Sequence, residues 1–368
     1  MKQFPFITYN LRYGNQYAGY ADFCRRIAIP VAEKPALLAD YKHPAFDFLK
    51  QMTKCSITER INYYEAFGYG DPGILLAAPS YGLCGLFLEF LQVDTFYKCY
   101  LQQLNQGKRS FFALTEPQGG SDINHLTTVV TKTDNTYYLT GEKIYIGLGA
   151  VAEIGIIFTR HGKGLQGLSA AFVDAKNFTA AVVQRTTLNM QGLQAAQIAH
   201  LSFEKMPIDT FSYLNAKYAS KIALALMKTF TQLRPALAAL ALGQAQALLD
   251  VTLNHSLKWQ YFEKNCYIEC YTLLKTARKI LQSCAIAIDK NATEFSQASF
   301  AKHSVLKITQ QVVRICIQLL PKEIFIIDPW VAKVYADHFA WQYMEGTKHI
   351  MQQHVYYAMQ REICGGAQ

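Results

Sequence analysis

The feature that most constrains the fold is a periodicity of apolar residues that changes twice along the chain. From about 17 to 112 these residues recur at helical spacing. From about 113 to 210 they form short β-branched and aromatic stretches, such as TYYLTGEKIYI and EIGIIFTR, separated by turn signals. The helical period returns from about 214 onward. The sequence therefore predicts helices, then a small antiparallel β-region, then helices again.

These changes of period suggest domain boundaries. We expect an N-terminal α-helical domain over 1–112, a middle β-domain over 113–213 and a C-terminal helical domain over 214–368. In the last of these, Arg234 and Pro235 are placed at a helix start, since proline is tolerated in the first turn.

Further helices are predicted at about 262–290, 295–320 and 330–361, with Pro321 and Pro329 separating the second from the third.

The composition favours a well-packed chain without a membrane span. Of the 368 residues 51% are hydrophobic and 17% charged, which predicts a large buried core. No apolar run reaches about 18 residues without a charge or break, and the N-terminus does not resemble a signal peptide. The nine scattered cysteines are typical of reduced thiols, so a cytoplasmic location is expected.

Metal and nucleic-acid binding are both disfavoured. Cys266 and Cys270 are four residues apart, but no His or Cys pair completes a metal site, so we interpret them as two buried thiols. The net charge of +9 is spread along the chain and no DNA-binding motif is present. An anionic small molecule or an acidic carrier protein would also be attracted by this charge.

One motif carries potential chemistry: FFALTEPQGGSD at 111–122. Thr115 offers a hydroxyl, and Gly119, Gly120 and Ser121 offer backbone amides and a second hydroxyl. Such donors suit the edge atoms of a flavin or the carbonyl of a thioester. For GGSD alone, a glycine-rich hairpin turn is the simpler interpretation.

Together with MEGT at 344–347, this run resembles the acyl-CoA dehydrogenase family, and the resemblance covers nearly the whole chain. It implies an α+β fold, with an N-terminal helical domain, a small middle β-barrel domain and a C-terminal four-helix bundle. It also implies an FAD-dependent α,β-dehydrogenation of an acyl thioester, carried on CoA or on an acyl-carrier protein. A homo- or hetero-oligomer is implied as well.

The resemblance also implies roles for particular residues. Glu345 takes the position of the catalytic base. The positions implied for cofactor binding are Leu114, Thr115, Gly120, Ser121, Tyr145, Phe262, Gln318 and Thr347. Those implied for substrate binding are Ser121, Arg234 and Gly346.

Each of the main residues also has a plainer interpretation. Tyr145 lies on a predicted strand, where a tyrosine is ordinarily part of the core. Arg234 would be a solvated charge at a helix start. Glu345 would simply favour a helix N-terminus through the dipole. As a base, Glu345 requires an apolar pocket that raises its carboxyl pKa toward the working range. Asp71 and Asp337 are interpreted as structural.

The sequence departs from the family pattern mainly where a neighbouring subunit grips the cofactor's phosphates. Trp259 and Glu263 stand where the family has an arginine and a glycine, and Pro321 and Glu323 replace a Gly-Gly turn. These changes remove a phosphate donor and the close approach of backbone amides.

Gly147 and Leu148 likewise replace polar residues beside the flavin. Two hypotheses follow. Either a different homologous subunit supplies the missing grip, or the chain is a non-catalytic homologue that binds or assembles.

Overall fold

The computed structural model describes residues 15–52, 55–120, 123–134, 136–161, 165–209, 212–292 and 295–365. The first helices that the structure describes pack against a long helix of the C-terminal part of the chain. They are α1 (Asn15–Glu33), α2 (Pro44–Lys50), α3 (Ile57–Gly70), α4 (Pro72–Ala77), α5 (Gly82–Leu91) and α6 (Asp94–Asn105). Helix α3 begins with a capping box, in which Ser56 and Glu59 satisfy each other's backbone amides.

The middle of the chain forms one mixed sheet of short strands. Its strands are β1 (Ser110–Ala113), β2 (Val129–Thr133), β3 (Thr136–Ile146), β4 (Ile154–Arg160), β5 (Leu168–Asp174), β6 (Val183–Thr187), β7 (Ala199–Ile208) and β8 (Tyr213–Leu214). The strand order is β6-β7-β3-β2-β4-β5-β8, and β1 pairs with β4 in parallel. Most other pairs are antiparallel, as the turn-rich sequence predicted.

The last part of the chain is a bundle of long helices. They are α7 (Ala219–Leu253), α8 (Tyr261–Asp289), α9 (Phe295–Leu319), α10 (Ile324–Ile327), α11 (Pro329–Ala340) and α12 (Lys348–Gly365). Helix α7 is long and apolar enough to cross a membrane, but 94% of its apolar window is buried in the protein. The helix–sheet–helix order confirms the α+β fold class.

Two helix predictions were wrong. Pro235 lies in the interior of α7 and not at a helix start, because packing on all sides stabilises one continuous helix of 35 residues. Its missing N–H leaves a break in the hydrogen-bond ladder. The helix predicted over 330–361 is two helices, α11 and α12, separated by residues 341–347.

A buried charge cluster joins the three parts of the chain. Lys333 on α11 lies 2.6 Å from both Asp71, at the start of α4, and Asp337. Asp337 also accepts hydrogen bonds from Gln244 on α7 and from the backbone N–H of Leu193. The cluster fixes α11, and therefore the loop that follows it, against the rest of the protein. Asp71 and Asp337 thus have the structural role expected of them.

Candidate active site

The predicted base, Glu345, lies in the loop between α11 and α12. The backbone is left-handed at two successive residues, with φ of +52° at Glu345 and +98° at Gly346. A side chain at Gly346 would place its Cβ 2.6 Å from Cε of Met351. A non-glycine residue in this conformation is uncommon and is held only when its surroundings determine it. This conformation is also what interrupts the helix predicted over 330–361.

Lys302 on α9 holds this loop. Its side chain is buried, at 1% exposure, and its Nζ donates to the carbonyl oxygens of Met344 and, at 2.8 Å, of Gly346. Both neighbours of Glu345 are therefore tied to one ammonium group. No motif in the sequence indicated Lys302. A signal existed, since Ala298 and Val305 place it on the apolar face of α9.

Arg234 on α7 holds the same loop from another side. It is 3% exposed, so the interpretation as a solvated charge was wrong. Its Nε donates to the carbonyl oxygen of Glu345 at 3.3 Å, and Nη1 donates to Oγ of Ser299 at 2.8 Å. The guanidinium also lies 4.1 Å from the ring centre of Phe295, which adds a cation–π contact.

The environment of Glu345 shifts several pKa values. Burial raises the pKa of the Glu345 carboxyl, while the cations Lys302 and Arg234 oppose that rise. Burial also lowers the pKa of Lys302 to about 7 and that of Arg234 to about 10. Tyr64, which α3 contributes, has its phenol pKa raised by burial and interacts with Glu345. A carboxylate with a raised pKa, among cations and apolar surfaces, is suited to accept a proton.

The segment that contains the ALTEPQGGSD motif is held by a second buried charge. The carboxylate of Glu116 accepts from Nζ of Lys143 at 2.7 Å and from the backbone N–H and hydroxyl of Thr127. Lys143 also donates to the carbonyl oxygen of Leu114 at 3.2 Å. Burial alone would raise the pKa of Glu116, but Lys143 and these hydrogen bonds lower it to about 2. The pair therefore fixes the loop after β1 against β3.

The predicted flavin-side residues lie together beside this ion pair. The carbonyl oxygen of Thr115 accepts from the backbone N–H of Ile144, and a Cβ at Gly120 would lie 2.4 Å from Cγ2 of Thr115. Tyr145 has a φ of +58° at an irregularity in β3 and is 62% exposed. Its interpretation as a core tyrosine was therefore wrong. Ser121 lies outside the described residues.

Aromatic contacts connect this flavin-side surface to the loop of Glu345. Phe112 of β1 lies 6.5 Å from Phe230 of α7, measured between ring centres. The ring of Phe230 in turn lies 5.5 Å from the guanidinium of Arg234. The motif after β1 and the motif between α11 and α12 thus flank one region, although more than 200 residues separate them in the sequence.

Two of the predicted cofactor residues lie elsewhere. Phe262 is 72% exposed in the first turn of α8, and Gln318 is exposed in the last turn of α9. Ser299, which accepts a hydrogen bond from Arg234, marks the part of α9 beside the Glu345 loop. Gln318 lies about 28 Å further along this helix, since an α-helix rises 1.5 Å per residue. Gln318 therefore cannot contact the surroundings of Glu345 within one chain, and the side chain of Phe262 faces solvent. Thr347, in contrast, lies beside Glu345, and its Oγ1 accepts from the N–H of Ile350 at 3.5 Å.

The residues present fit the ring half of a flavin better than its phosphate half. A Cβ added at Gly119 or Gly147 would meet no atom within 4 Å, so a planar ring can approach the backbone there. Leu148 is buried and its N–H donates to the carbonyl of Ala196, so it offers no free donor. At the position where the family has an arginine, the ring of Trp259 packs 5.6 Å from Tyr267.

Within the described ranges, no group of three His, Cys, Asp or Glu side chains could hold a metal ion. The prediction of two buried thiols was half wrong, since Cys270 is buried but Cys266 is partly exposed.

Comparisons with known proteins agree with this fold. The family models for the acyl-CoA dehydrogenase middle and C-terminal domains match residues 111–206 and 224–360. The chain is 25% identical over 296 residues to a 3-(aryl)acrylate reductase of Clostridium sporogenes, covering 77% of each. It is 25% identical over 295 residues to a subunit of the caffeyl-CoA reductase-Etf complex of Acetobacterium woodii, covering 77% of this chain and 76% of that one. Among solved structures, the FAD complex of PigA has a TM-score of 0.77 at 17% identity, covering 94% of this chain and 97% of that one.

Proposed function

The chain belongs to the acyl-CoA dehydrogenase family, and we propose that it dehydrogenates an acyl thioester between Cα and Cβ, with FAD as cofactor and Glu345 as base. The observation that carries the proposal is the position of Glu345. It lies in a left-handed loop that Lys302 and Arg234 hold through three carbonyl oxygens. A glutamate that served only to stabilise a helix N-terminus would not need two buried cations beside it.

In this proposal the chain's own residues perform the proton transfer. The Glu345 carboxylate accepts the α-proton, and burial raises its pKa so that it is a stronger base than a free carboxylate. Arg234 and Lys302 keep the backbone of the loop fixed while the charge on Glu345 changes. Tyr145, Thr115 and Gly120 would contact the ring of the cofactor. When bound, FAD supplies the acceptor for the β-hydrogen and its electron pair.

The same geometry also suits the reverse reaction, the reduction of an α,β-unsaturated acyl thioester. Two of the relatives are named as reductases of an acrylate and of a caffeyl thioester. In that direction a protonated Glu345 would return the proton to Cα, and burial, which raises its pKa, favours that protonated form. The direction then depends on the electron donor or acceptor and not on the residues of this site.

We further propose that a homologous subunit completes the phosphate end of the site. This is supported by Trp259, Glu263 and Pro321 at the positions where the family grips the phosphates. Apolar side chains at that end of the bundle are also unusually exposed: Leu257 at 97%, Tyr261 at 81%, Phe262 at 72%, Ile326 at 86% and Ile327 at 74%. An exposed cluster of this kind is typical of a surface that a neighbouring subunit covers.

A non-catalytic binding or assembly subunit is the second candidate. The same Trp259 and Pro321 favour it, because a chain that has lost its cofactor grip needs no base. The intact set of Glu345, Lys302 and Arg234 favours catalysis instead.

The deciding experiment measures flavin content and its reduction. The protein is purified alone and together with a co-encoded homologue, and each sample is reconstituted with FAD. The proposal expects weak FAD retention alone, retention in the mixed assembly, and bleaching of the flavin absorbance by an acyl thioester. Glu345→Gln should keep the flavin and slow bleaching by about 10²–10⁴-fold. The exposed Glu33→Gln, at the end of α1, is the matched control and should bleach normally.

Flavin that is retained but never bleached by any acyl thioester would favour the binding subunit. A stoichiometrically flavin-loaded homo-oligomer would refute the need for a second type of subunit.

A further inference from the structure

His354 on α12 takes part in a chain of hydrogen bonds that ends at the loop of Glu345. Its Nδ1 lies 3.2 Å from Oγ of Ser299 on α9. That oxygen accepts from Nη1 of Arg234 at 2.8 Å, and Nε of the same guanidinium donates to the carbonyl oxygen of Glu345 at 3.3 Å. Because α12 follows the loop of Glu345 in the chain, these bonds close a ring that runs from the loop through α12, α9 and α7 back to the loop.

Ser299 is suited to connect the imidazole to the guanidinium. Its side chain is fully buried, and its hydroxyl donates to the carbonyl oxygen of Phe295 at 2.9 Å. A hydroxyl has one proton and two lone pairs. With the proton directed at Phe295, the lone pairs are left to accept from Arg234 and from an Nδ1–H of His354. The imidazole therefore completes the bonding of the oxygen that holds Arg234.

The surroundings of His354 keep its imidazole neutral. Burial, and then the charge of Arg234 from α7, lower its pKa to about 4. The groups that α9 places against it, Phe295 and Ser299, are uncharged. The ring of Phe295 lies 4.7 Å from that of His354 and 4.1 Å from the guanidinium, measured from ring centres. Near pH 7, His354 thus bonds to Ser299 without adding a second positive charge beside Arg234.

We propose that His354 is a positioning residue for the base, and that it acts through Ser299 on Arg234. The guanidinium is planar, so fixing Nη1 on Ser299 also fixes the direction of Nε toward the carbonyl oxygen of Glu345. Arg234 opposes the rise in the pKa of the Glu345 carboxyl, so a displaced guanidinium leaves that pKa higher. The proposal rests on the proposed function, since it takes Glu345 as the base.

The test measures the pH dependence of flavin bleaching by a saturating acyl thioester in the FAD-reconstituted protein. His354→Leu should move the acidic limb to higher pH and slow bleaching above it by about three- to tenfold. His354→Asn should restore the wild-type limb, because an asparagine amide can place a polar atom where Nδ1 lies. Gln353→Leu, exposed on the same helix, is the matched control and should keep the wild-type profile.

A double-mutant cycle separates positioning from simple packing. Ser299→Ala breaks the same chain of bonds and should move the limb as His354→Leu does. The double variant should move it no further, because residues that act through one another do not have additive effects. An unchanged limb in His354→Leu, or a further shift in the double variant, would overturn the proposal.

A measurement without turnover distinguishes failure of this proposal from failure of the proposed function. In protein labelled with ¹³C in its histidine rings, the NMR signal of His354 is identified by its loss in His354→Asn. Its titration midpoint should lie near pH 4 in the wild type and rise in Arg234→Met, which removes the cation beside it. A wild type that no acyl thioester bleaches contradicts the proposed function. A midpoint that Arg234→Met leaves unchanged overturns the link between His354 and Arg234, whether or not Glu345 is a base.

Discussion

Replacing Lys302 by methionine would test how the protein sets the basicity of Glu345. The substitution removes the two hydrogen bonds to the carbonyl oxygens of Met344 and Gly346, and it removes one of the two cations that act on Glu345. Methionine keeps a similar length and apolar volume, so the packing of α9 should be retained.

The expected shift follows from the electrostatics of the site. Lys302 is the larger of the two cations that oppose the raised pKa of Glu345, so removing it should raise that pKa further. Arg234 from α7 and Tyr64 from α3 also face Glu345 and are unchanged in the variant. Because the pKa of Lys302 is about 7, its charge is complete only below that pH. The effect should therefore be largest in acid and fade above neutrality.

The assay is the pH dependence of flavin bleaching by a saturating acyl thioester in stopped flow. Glu345 must be deprotonated to accept the α-proton, so the rate falls as the pH falls through its pKa. In Lys302→Met the acidic limb should move to higher pH. Lys302→Arg keeps the charge and should keep the limb near its wild-type position. An unchanged limb in Lys302→Met would refute the assignment of Lys302 as the cation that tunes Glu345.

Further substitutions test other parts of the site. Lys143→Met leaves the buried Glu116 without its ion-pair partner, and should lower the free energy of unfolding by about 3–5 kcal/mol in chemical denaturation. The pKa of Glu116 in the folded protein is about 2, below its ordinary value, so the ionised carboxylate stabilises the fold above about pH 4.5. This contribution is lost as the pH falls toward 2. In Glu116→Gln the free energy of unfolding should therefore depend less on pH over this range. Gly120→Ala places a Cβ 2.4 Å from Thr115 and should weaken FAD binding in fluorescence titration, whereas Gly19→Ala on α1, where a Cβ also meets no atom within 4 Å, should not. Trp259→Arg restores a phosphate donor and should raise FAD retention by the chain purified alone. Unchanged FAD retention would indicate that the glycines replaced by Glu263, Pro321 and Glu323 matter more for binding than the arginine.

Sequence patterns were sufficient for the order of helices and strands and for the two motifs that mark the site. The β-branched and aromatic stretches of β4 and β5 predicted strands, and the motif at 111–122 predicted a loop that presents Thr115 and Gly120. Local signals of this kind depend on neighbours within a few residues, which the sequence displays directly.

Other features depended on tertiary contacts that no local pattern displays. Pro235 suggested a helix start, yet the packing of α7 on all sides overrides the local preference for a break. The single helix expected over 330–361 is interrupted because Glu345 and Gly346 adopt left-handed conformations. Those conformations depend on Lys302, which lies more than 40 residues earlier in the chain.

Lys302 shows how a functional residue could be recognised from sequence in other chains of this kind. A lysine on the apolar face of an amphipathic helix must either deprotonate or find partners, because a buried ammonium group is costly. Here it finds two carbonyl oxygens that a regular helix would not leave free. A buried-face lysine in one helix therefore predicts an irregular backbone segment packed against it. In this protein that segment contains the only carboxylate that Lys302 and Arg234 both face among the described residues, and that shared position is what distinguishes Glu345 from an ordinary helix-capping glutamate.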